Sequence, residues 1–233
     1  MNNYELIQKL HDVVKNHKTV YMWGVFGSPV TESIIATKTK QYPSWYTTQR
    51  QANFRKLIGK GYFGFDCVNL IKGILWGWNG DHSKLNGGAA YNINGVPDVS
   101  ANGMLTRLVD VSSDFFKIEV GSAVWMDGHI GVYIGDGKVI EATPSWGNNV
   151  QVTACLNFGS ISGLNGRRWT KHGKLPYITY VLKEEGEKQE SPQWAIDARN
   201  WAMDNGISDG SRPKDTATRE EIWRMLQKMD RVD

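Results

Sequence analysis

The segment 65–76 distributes Val68, Leu70, Ile71, Ile74 and Leu75 almost all round a helix that begins at Cys67. A helix apolar on every side has no face to give to water, so it belongs at the centre of a domain. The rest of the chain must supply the elements that wrap it. Upstream, Leu6, Leu10, Val13 and Val14 recur at helical spacing and predict an amphipathic helix over 4–17. His11 and His17, six positions apart, do not share a face of that helix and read as surface histidines. Residues 21–61 follow no period apart from a helix expected near 48–57. Residues 77–103 form a Gly- and Asn-rich loop, and Met104, Leu105, Leu108 and Val109 suggest a short helix.

Downstream the pattern changes. Short runs rich in Val, Ile, Tyr and Trp at 123–126, 130–134, 138–143, 150–155 and 178–182 are separated by Gly, Asn and Pro, as strands of a meander are. Helices first and strands afterwards predict an α+β domain, helices packed on an antiparallel sheet. Residues 183–191 hold no apolar side chain and read as a linker. Beyond it, Trp194, Ala195, Ala198, Trp201 and Ala202 form one helix stripe closed by Asn205 and Gly206. A second helix is expected from Thr218, which with Glu221 makes a capping box, and Ile222, Met225, Leu226 and Met229 continue it. The 233 residues thus divide into a domain over 1–182, a linker over 183–191 and a helical hairpin over 192–233.

Charge separates the parts. Residues 1–182 carry 18 Lys and Arg against 12 Asp and Glu, leaving 9 against 12 for the remainder. The large part is cationic, which suits an anionic polymer as partner. Its basic residues are scattered and carry no nucleic-acid-binding signature, so nucleic acid is not expected. No run reaches the roughly 18 apolar residues of a membrane span. Residues 1–19 lack the apolar core of a signal peptide. The 2 cysteines can build neither a disulfide framework nor a four-thiolate metal site, and neither metal nor cofactor is expected.

Cys67 follows Asp66 at the head of the buried helix. There the helix dipole and unpaired amides are expected to lower its pKa, and the same amides suit an oxyanion. A thiol nucleophile needs a base. His129 opens the apolar run His129-Ile130-Gly131-Val132-Tyr133-Ile134, and Gly135-Asp136-Gly137 signals a tight hairpin back through 138–143. In a hairpin centred on Asp136, odd positions of both strands share a face, so His129 and Glu141 are direct or diagonal neighbours. A Glu among Val139, Ile140 and Ala142 is costly without a partner. Orienting the imidazole gives it one. Cys155, with no acidic neighbour and no following helix, reads as a core residue, and His172, between Lys171 and Lys174, as a solvated loop residue.

Asp66-Cys67 at the head of a buried helix, followed by Gly128-His129-Ile130-Gly131-Val132-Tyr133-Ile134-Gly135, resembles the NlpC/P60 cysteine peptidases over about residues 5–182. Tyr21-Met22-Trp23-Gly24 is similar to the upstream Tyr-x-Trp-Gly motif of that family. The resemblance implies a papain-like fold and hydrolysis of peptidoglycan stem peptides, usually at the bond from γ-D-glutamate to a diamino acid. It implies Cys67 as nucleophile, His129 as base and Glu141 as orienting third member, with Tyr21 and Asp66 lining the substrate site. Val68 and Asn69 stand where the family often has Ser-Gly. Glu141 stands where it commonly has His, a feature shared with the related CHAP amidases. Trp194 to Asn205, Gly206-Ile207-Ser208-Asp209-Gly210, Arg212-Pro213 and Thr218-Arg219-Glu220-Glu221 resemble one S-layer homology repeat, which implies attachment to wall polymers. A single copy suggests pairing between chains or a weak anchor. Together these resemblances imply an endolysin held in a host cytoplasm until lysis, with an N-acetylmuramoyl-L-alanine amidase and a non-catalytic wall-binding protein as alternatives.

Overall fold

The computed structural model describes residues 1–182, 193–208 and 219–229. The chain divides into two units, Met1–Lys183 and Glu184–Asp233. The first is an α+β unit. Helix α1 (Asn3–Asn16) starts in a capping box: the Glu5 amide donates to the Asn2 side chain (2.9 Å) and the Asn2 amide to the Glu5 carboxylate (2.8 Å). It buries Leu6, Leu10 and Val13 completely.

Strands β1 (Lys18–Tyr21) and β2 (Phe26–Pro29), helices α2 (Glu32–Gln41) and α3 (Thr48–Arg55), and strand β3 (Tyr62–Phe65) follow. The three strands form a small sheet in the order β1-β3-β2, with β1 parallel and β2 antiparallel to β3. Only α3 was expected here. Four-residue strands are too short to show a period, and β2 contains Gly27 and ends on Pro29, which an edge strand tolerates.

Helix α4 (Cys67–Leu75) is the expected central helix, and all nine of its residues are buried. It starts at Cys67 because Phe65 belongs to β3 and the Asp66 carboxylate caps it, accepting from the Asn69 amide at 2.8 Å. It ends at a left-handed Gly77 (φ +91°). The Gly77 amide donates to Ile74 (3.0 Å) and the Trp78 amide to Gly73 (2.9 Å), which is the Schellman arrangement.

The remaining elements are α5 (Ala101–Leu105), β4 (Val109–Ser112), β5 (Ala123–Met126), β6 (His129–Gly135), β7 (Lys138–Thr143), β8 (Asn149–Cys155), β9 (Gly166–Arg167) and β10 (Lys171–Lys174). The seven strands among them form one sheet in the order β4-β10-β5-β6-β7-β8-β9, antiparallel except for β8 with β9. Two expectations fail here. The short helix lies earlier, as α5, and Val109 begins a strand. Residues 178–182 contribute a single bridge from Thr179 to Asn2, and the sheet position goes to β10 instead.

The β6–β7 hairpin turns at Asp136 (φ +50°) and Gly137 (φ +66°), both left-handed, as a type I′ turn requires. Val132 lies opposite Ile140 and Tyr133 opposite Val139. Even positions Ile130, Val132, Ile140 and Ala142 join α1 and α4 in the main core. Odd positions Tyr133 and Val139 pack with Val124, Phe115, Cys155 and Trp169 in a second core.

The second unit contains α6 (Gln193–Asp204) and α7 (Arg219–Met229). Within it the Lys228 ammonium donates to the Gly206 carbonyl at 2.8 Å, Ile207 is buried, and Trp201, Ile222, Trp223 and Leu226 are exposed. The expected linker, and the capping interaction of Thr218, lie outside the described residues. Among the described residues no helix is long and apolar enough to cross a membrane.

Candidate active site

The site is built around Asp66, at the junction of β3 and α4. Its Oδ1 accepts from the Asn69 amide, and its Oδ2 from the Gly24 amide (2.7 Å) and from Asn69 Nδ2 (2.7 Å). Asp66 therefore fastens the loop after β1 to the start of α4. Burial raises its pKa, and the N–H donors and the Lys72 charge act in the opposite direction.

Cys67 is buried, and its thiol meets the backbone N–H groups of Ile130 and Val68 and the Tyr21 hydroxyl. These donors favour thiolate, as expected at a helix N-terminus. Burial, reinforced by the Asp66 charge, outweighs them and pushes the thiol up to about 12. The expectation of a lowered pKa is corrected accordingly: the resting thiol keeps its proton and needs a base to lose it.

The Ile130 amide that meets the thiol belongs to the residue after His129. The imidazole Nε2 lies 2.5 Å from Glu141 Oε2. Among the described residues neither Nδ1 nor the thiol makes a side-chain hydrogen bond joining His129 to Cys67. The hairpin register, with Val132 opposite Ile140, sets Gly131 opposite Glu141 and makes His129 the diagonal neighbour of Glu141. A Cβ at Gly131 would stand 2.7 Å from Val139 Cγ1 and 3.2 Å from Glu141 Cβ, so a side chain there would crowd the pair.

Glu141 is fully buried and has more partners than the sequence suggested. Its Oε1 accepts from Thr153 Oγ1 (2.7 Å) and Arg167 Nε (3.1 Å), and its Oε2 lies 3.0 Å from Arg167 Nη2. The same Nη2 donates to Thr143 Oγ1 at 3.1 Å. Despite burial, the histidine, arginine and threonine partners hold the Glu141 carboxyl below its ordinary value. Trp169 stacks on the imidazole (5.5 Å between centroids, 11° between planes), and the Arg167 guanidinium lies over Trp169 and Trp146. Thr153, Arg167 and Trp169 were missed from sequence. The signal available was Glu141 itself: a buried carboxylate needs a counter-charge, and a neutral imidazole does not supply one.

Tyr21, Asp66 and Cys67 line a cleft of about 800 Å³. Gly128, in the turn between β5 and β6 and next to His129, also lines it, whereas the His129 and Glu141 side chains do not. Aromatic rings of Trp23, Phe26, Tyr42 and Tyr91 form much of the lining, and Lys38 and the Lys72–Asp98 pair join Asp66 as its ionisable groups. The Lys72 ammonium, almost wholly buried, also donates to the Val99 carbonyl (2.9 Å), and Tyr91 donates to Asp98 (2.8 Å). These bonds pin residues 91–99 against α4 as one wall.

Two of the other histidines, read from the sequence as solvated, have structural partners. His172 is buried, bonds the Asp114 carbonyl at 3.0 Å and meets Phe115 edge-on, which corrects its reading as a solvated loop residue. His17 packs edge-on against Phe63 and Trp78 and so is not a free surface residue. Among the described residues no group of His, Cys, Asp or Glu is arranged to hold a metal ion. No protein-family model matches this chain, and no curated protein matches it significantly.

Proposed function

We propose that this protein is a peptidoglycan hydrolase of the NlpC/P60 type, a papain-like thiol hydrolase that cleaves stem peptides. The observation that carries the reading is the hydrogen bond of His129 Nε2 to a buried Glu141 whose carboxyl is held below its ordinary value, one residue from an amide that meets the Cys67 thiol. That bond occupies one ring nitrogen and leaves Nδ1 to take the thiol proton.

In the proposed reaction Nδ1 accepts the proton as Sγ adds to the scissile carbonyl, and Glu141 stabilises the imidazolium. The Cys67 amide at the head of α4 receives the oxyanion, the amides of Val68, Asn69 and Leu70 being engaged by the thiol, the Asp66 carboxylate and the Asp66 carbonyl. The imidazolium then protonates the leaving amine, giving a thioester on Cys67. Water, deprotonated by the same imidazole, hydrolyses the thioester and frees the thiol. Tyr21 and Asp66 shape the cleft in which the stem peptide lies, without metal or cofactor. The C-terminal unit holds the enzyme to bacterial wall polymers and supplies a surface for self-association.

The preferred bond is that from γ-D-glutamate to the diamino acid. Glutamate as the third member favours one other reading, an N-acetylmuramoyl-L-alanine amidase of CHAP type. Mass spectrometry of wall fragments separates them, since the first exposes a diamino-acid amine and the second frees the L-alanine amine from muramic acid. Unchanged walls after incubation with folded protein exclude both.

A further inference from the structure

We infer that Arg167 is a positioning residue of the active site, holding Glu141 ionised and fixed through a forked contact with both carboxylate oxygens. The inference rests on the proposed thiol mechanism and assigns a role that neither the motif residues nor their spacing supplies.

The argument begins with what a buried carboxylate needs. Glu141 must stay ionised to stabilise an imidazolium, yet it is sealed from water in a strand whose neighbours Ile140 and Ala142 are fully buried. His129 is its partner on one side, but a neutral imidazole does not offset the desolvation of the anion. Arg167 does. Its Nε reaches Oε1 and its Nη2 reaches Oε2, at 3.1 and 3.0 Å, so a planar cation spans the carboxylate side-on. The charged groups facing Glu141 are His129 from β6 and Arg167 from β9; Thr153 of β8 adds a neutral hydroxyl.

Arg167 is itself held in place. Thr143 accepts from Nη2 at 3.1 Å, and the guanidinium carbon lies 4.8 Å from the centre of the Trp146 ring and 5.7 Å from that of Trp169. Trp169 carries the imidazole on its stack. The guanidinium and the catalytic ring are thus joined twice, through the shared carboxylate and through one indole. Arg167 does not line the cleft, and its contacts lead to Glu141, Thr143 and the two indoles, so its effect on the reaction is assigned to Glu141 and His129.

The sign of the effect follows. Removing the cation lets Glu141 take up a proton at higher pH, and the protonated acid no longer stabilises an imidazolium. The acid limb of the rate profile therefore moves upward. A neighbouring guanidinium shifts a carboxylate by roughly 1–3 units, and the His129 and Thr153 contacts that remain place the expected movement at about one pH unit. Arg167→Lys keeps the charge without spanning both oxygens, so the limb returns towards wild type and kcat stays several-fold low.

The test uses the full chain as wild type, Arg167→Gln and Arg167→Lys, with near-ultraviolet circular dichroism to establish folding. Two pH profiles are measured: cleavage of a muropeptide, and alkylation of Cys67 by iodoacetamide in a Cys155→Ser background, where His129 takes the thiol proton as in cleavage and the two acid limbs have the same origin. The inference expects Arg167→Gln to move both acid limbs up by about one unit and to lower kcat at unchanged KM. A folded Arg167→Gln whose profiles are merely scaled down, with limbs unmoved, overturns it, because a purely structural role acts alike at every pH. Should Arg167→Gln not fold, full kcat in Arg167→Lys overturns the fork. Alkylation limbs that shift while the wild type cleaves no muropeptide sustain the role of Arg167 and overturn the proposed function instead.

Discussion

Replacing Glu141 with Gln perturbs stability and catalysis by separable amounts. The carboxylate accepts from Thr153 and Arg167 on one oxygen and faces His129 and Arg167 on the other. Whichever oxygen becomes the amide nitrogen meets an Arg167 donor, so one donor–donor clash is unavoidable, and the guanidinium loses its counter-charge. Breaking a buried pair from one side costs roughly 3–5 kcal/mol. Arg167 keeps Thr143 and two indole faces and is 19% exposed, which brings the expected loss down to about 2 kcal/mol. Urea unfolding followed by tryptophan fluorescence measures it. The folded-state pKa of Glu141 is depressed, so its stabilisation is present above the ordinary 4.5 and disappears as pH falls through the lower folded value. The gap between wild type and Glu141→Gln should close over that acid range. Turnover at neutral pH should fall about 10²–10⁴-fold with little change in KM, since the lost interaction strengthens only as the imidazolium forms. Equal urea midpoints at neutral pH together with full turnover refute the reasoning, for Glu141 would then neither balance Arg167 nor serve His129.

Other consequences follow. Because the Cys67 thiol is pushed up to about 12, the ultraviolet difference spectrum between wild type and Cys67→Ser should show no thiolate step near neutral pH; a neutral step contradicts the buried-thiol account. Asp98→Ala leaves the Lys72 ammonium buried with the Val99 carbonyl, and should destabilise by about 2 kcal/mol in chemical unfolding, reduced from the fully buried case because Asp98 is half-exposed. Lys72→Met should cost less, since it removes the buried charge as well. A chain ending near Lys183 should cleave muropeptides at a near-normal rate but digest intact walls more slowly, because tethering raises local enzyme concentration. Unchanged wall pull-down by that truncation removes the anchoring role.

The parts of this structure that were legible in the sequence are those where burial enforces a period. Helix α4 could be read because five apolar residues surround its axis. The pairing of His129 with Glu141 could be read because a tight turn at Asp136 sets the parity of both strands. Elements fixed by long-range contacts were not legible. The segment Lys171-His172-Gly173-Lys174 looks like a solvated loop, yet it is a strand between β4 and β5, with His172 turned onto Phe115. Arg167 lies among Asn165, Gly166 and Arg168, a stretch with no pattern, and acquires its role from a carboxylate 26 positions away. The Cys67 thiol was misjudged because helix position is written in sequence and depth of burial is not. Residues 178–182 have the composition of a strand, but only Thr179 is bridged, through backbone bonds with Met1 and Asn3 at 3.1 Å each.

The central claim is that Cys67 performs the cleavage with His129 as its base. Its most direct test is the rate at which folded Cys67→Ala and Cys155→Ala cleave a muropeptide, with products identified by mass spectrometry. The account predicts at least about a 100-fold loss for Cys67→Ala and near-normal cleavage for Cys155→Ala, because only the first removes the nucleophile. Cleavage by folded Cys67→Ala at the wild-type rate, or an equal loss in both variants, contradicts it.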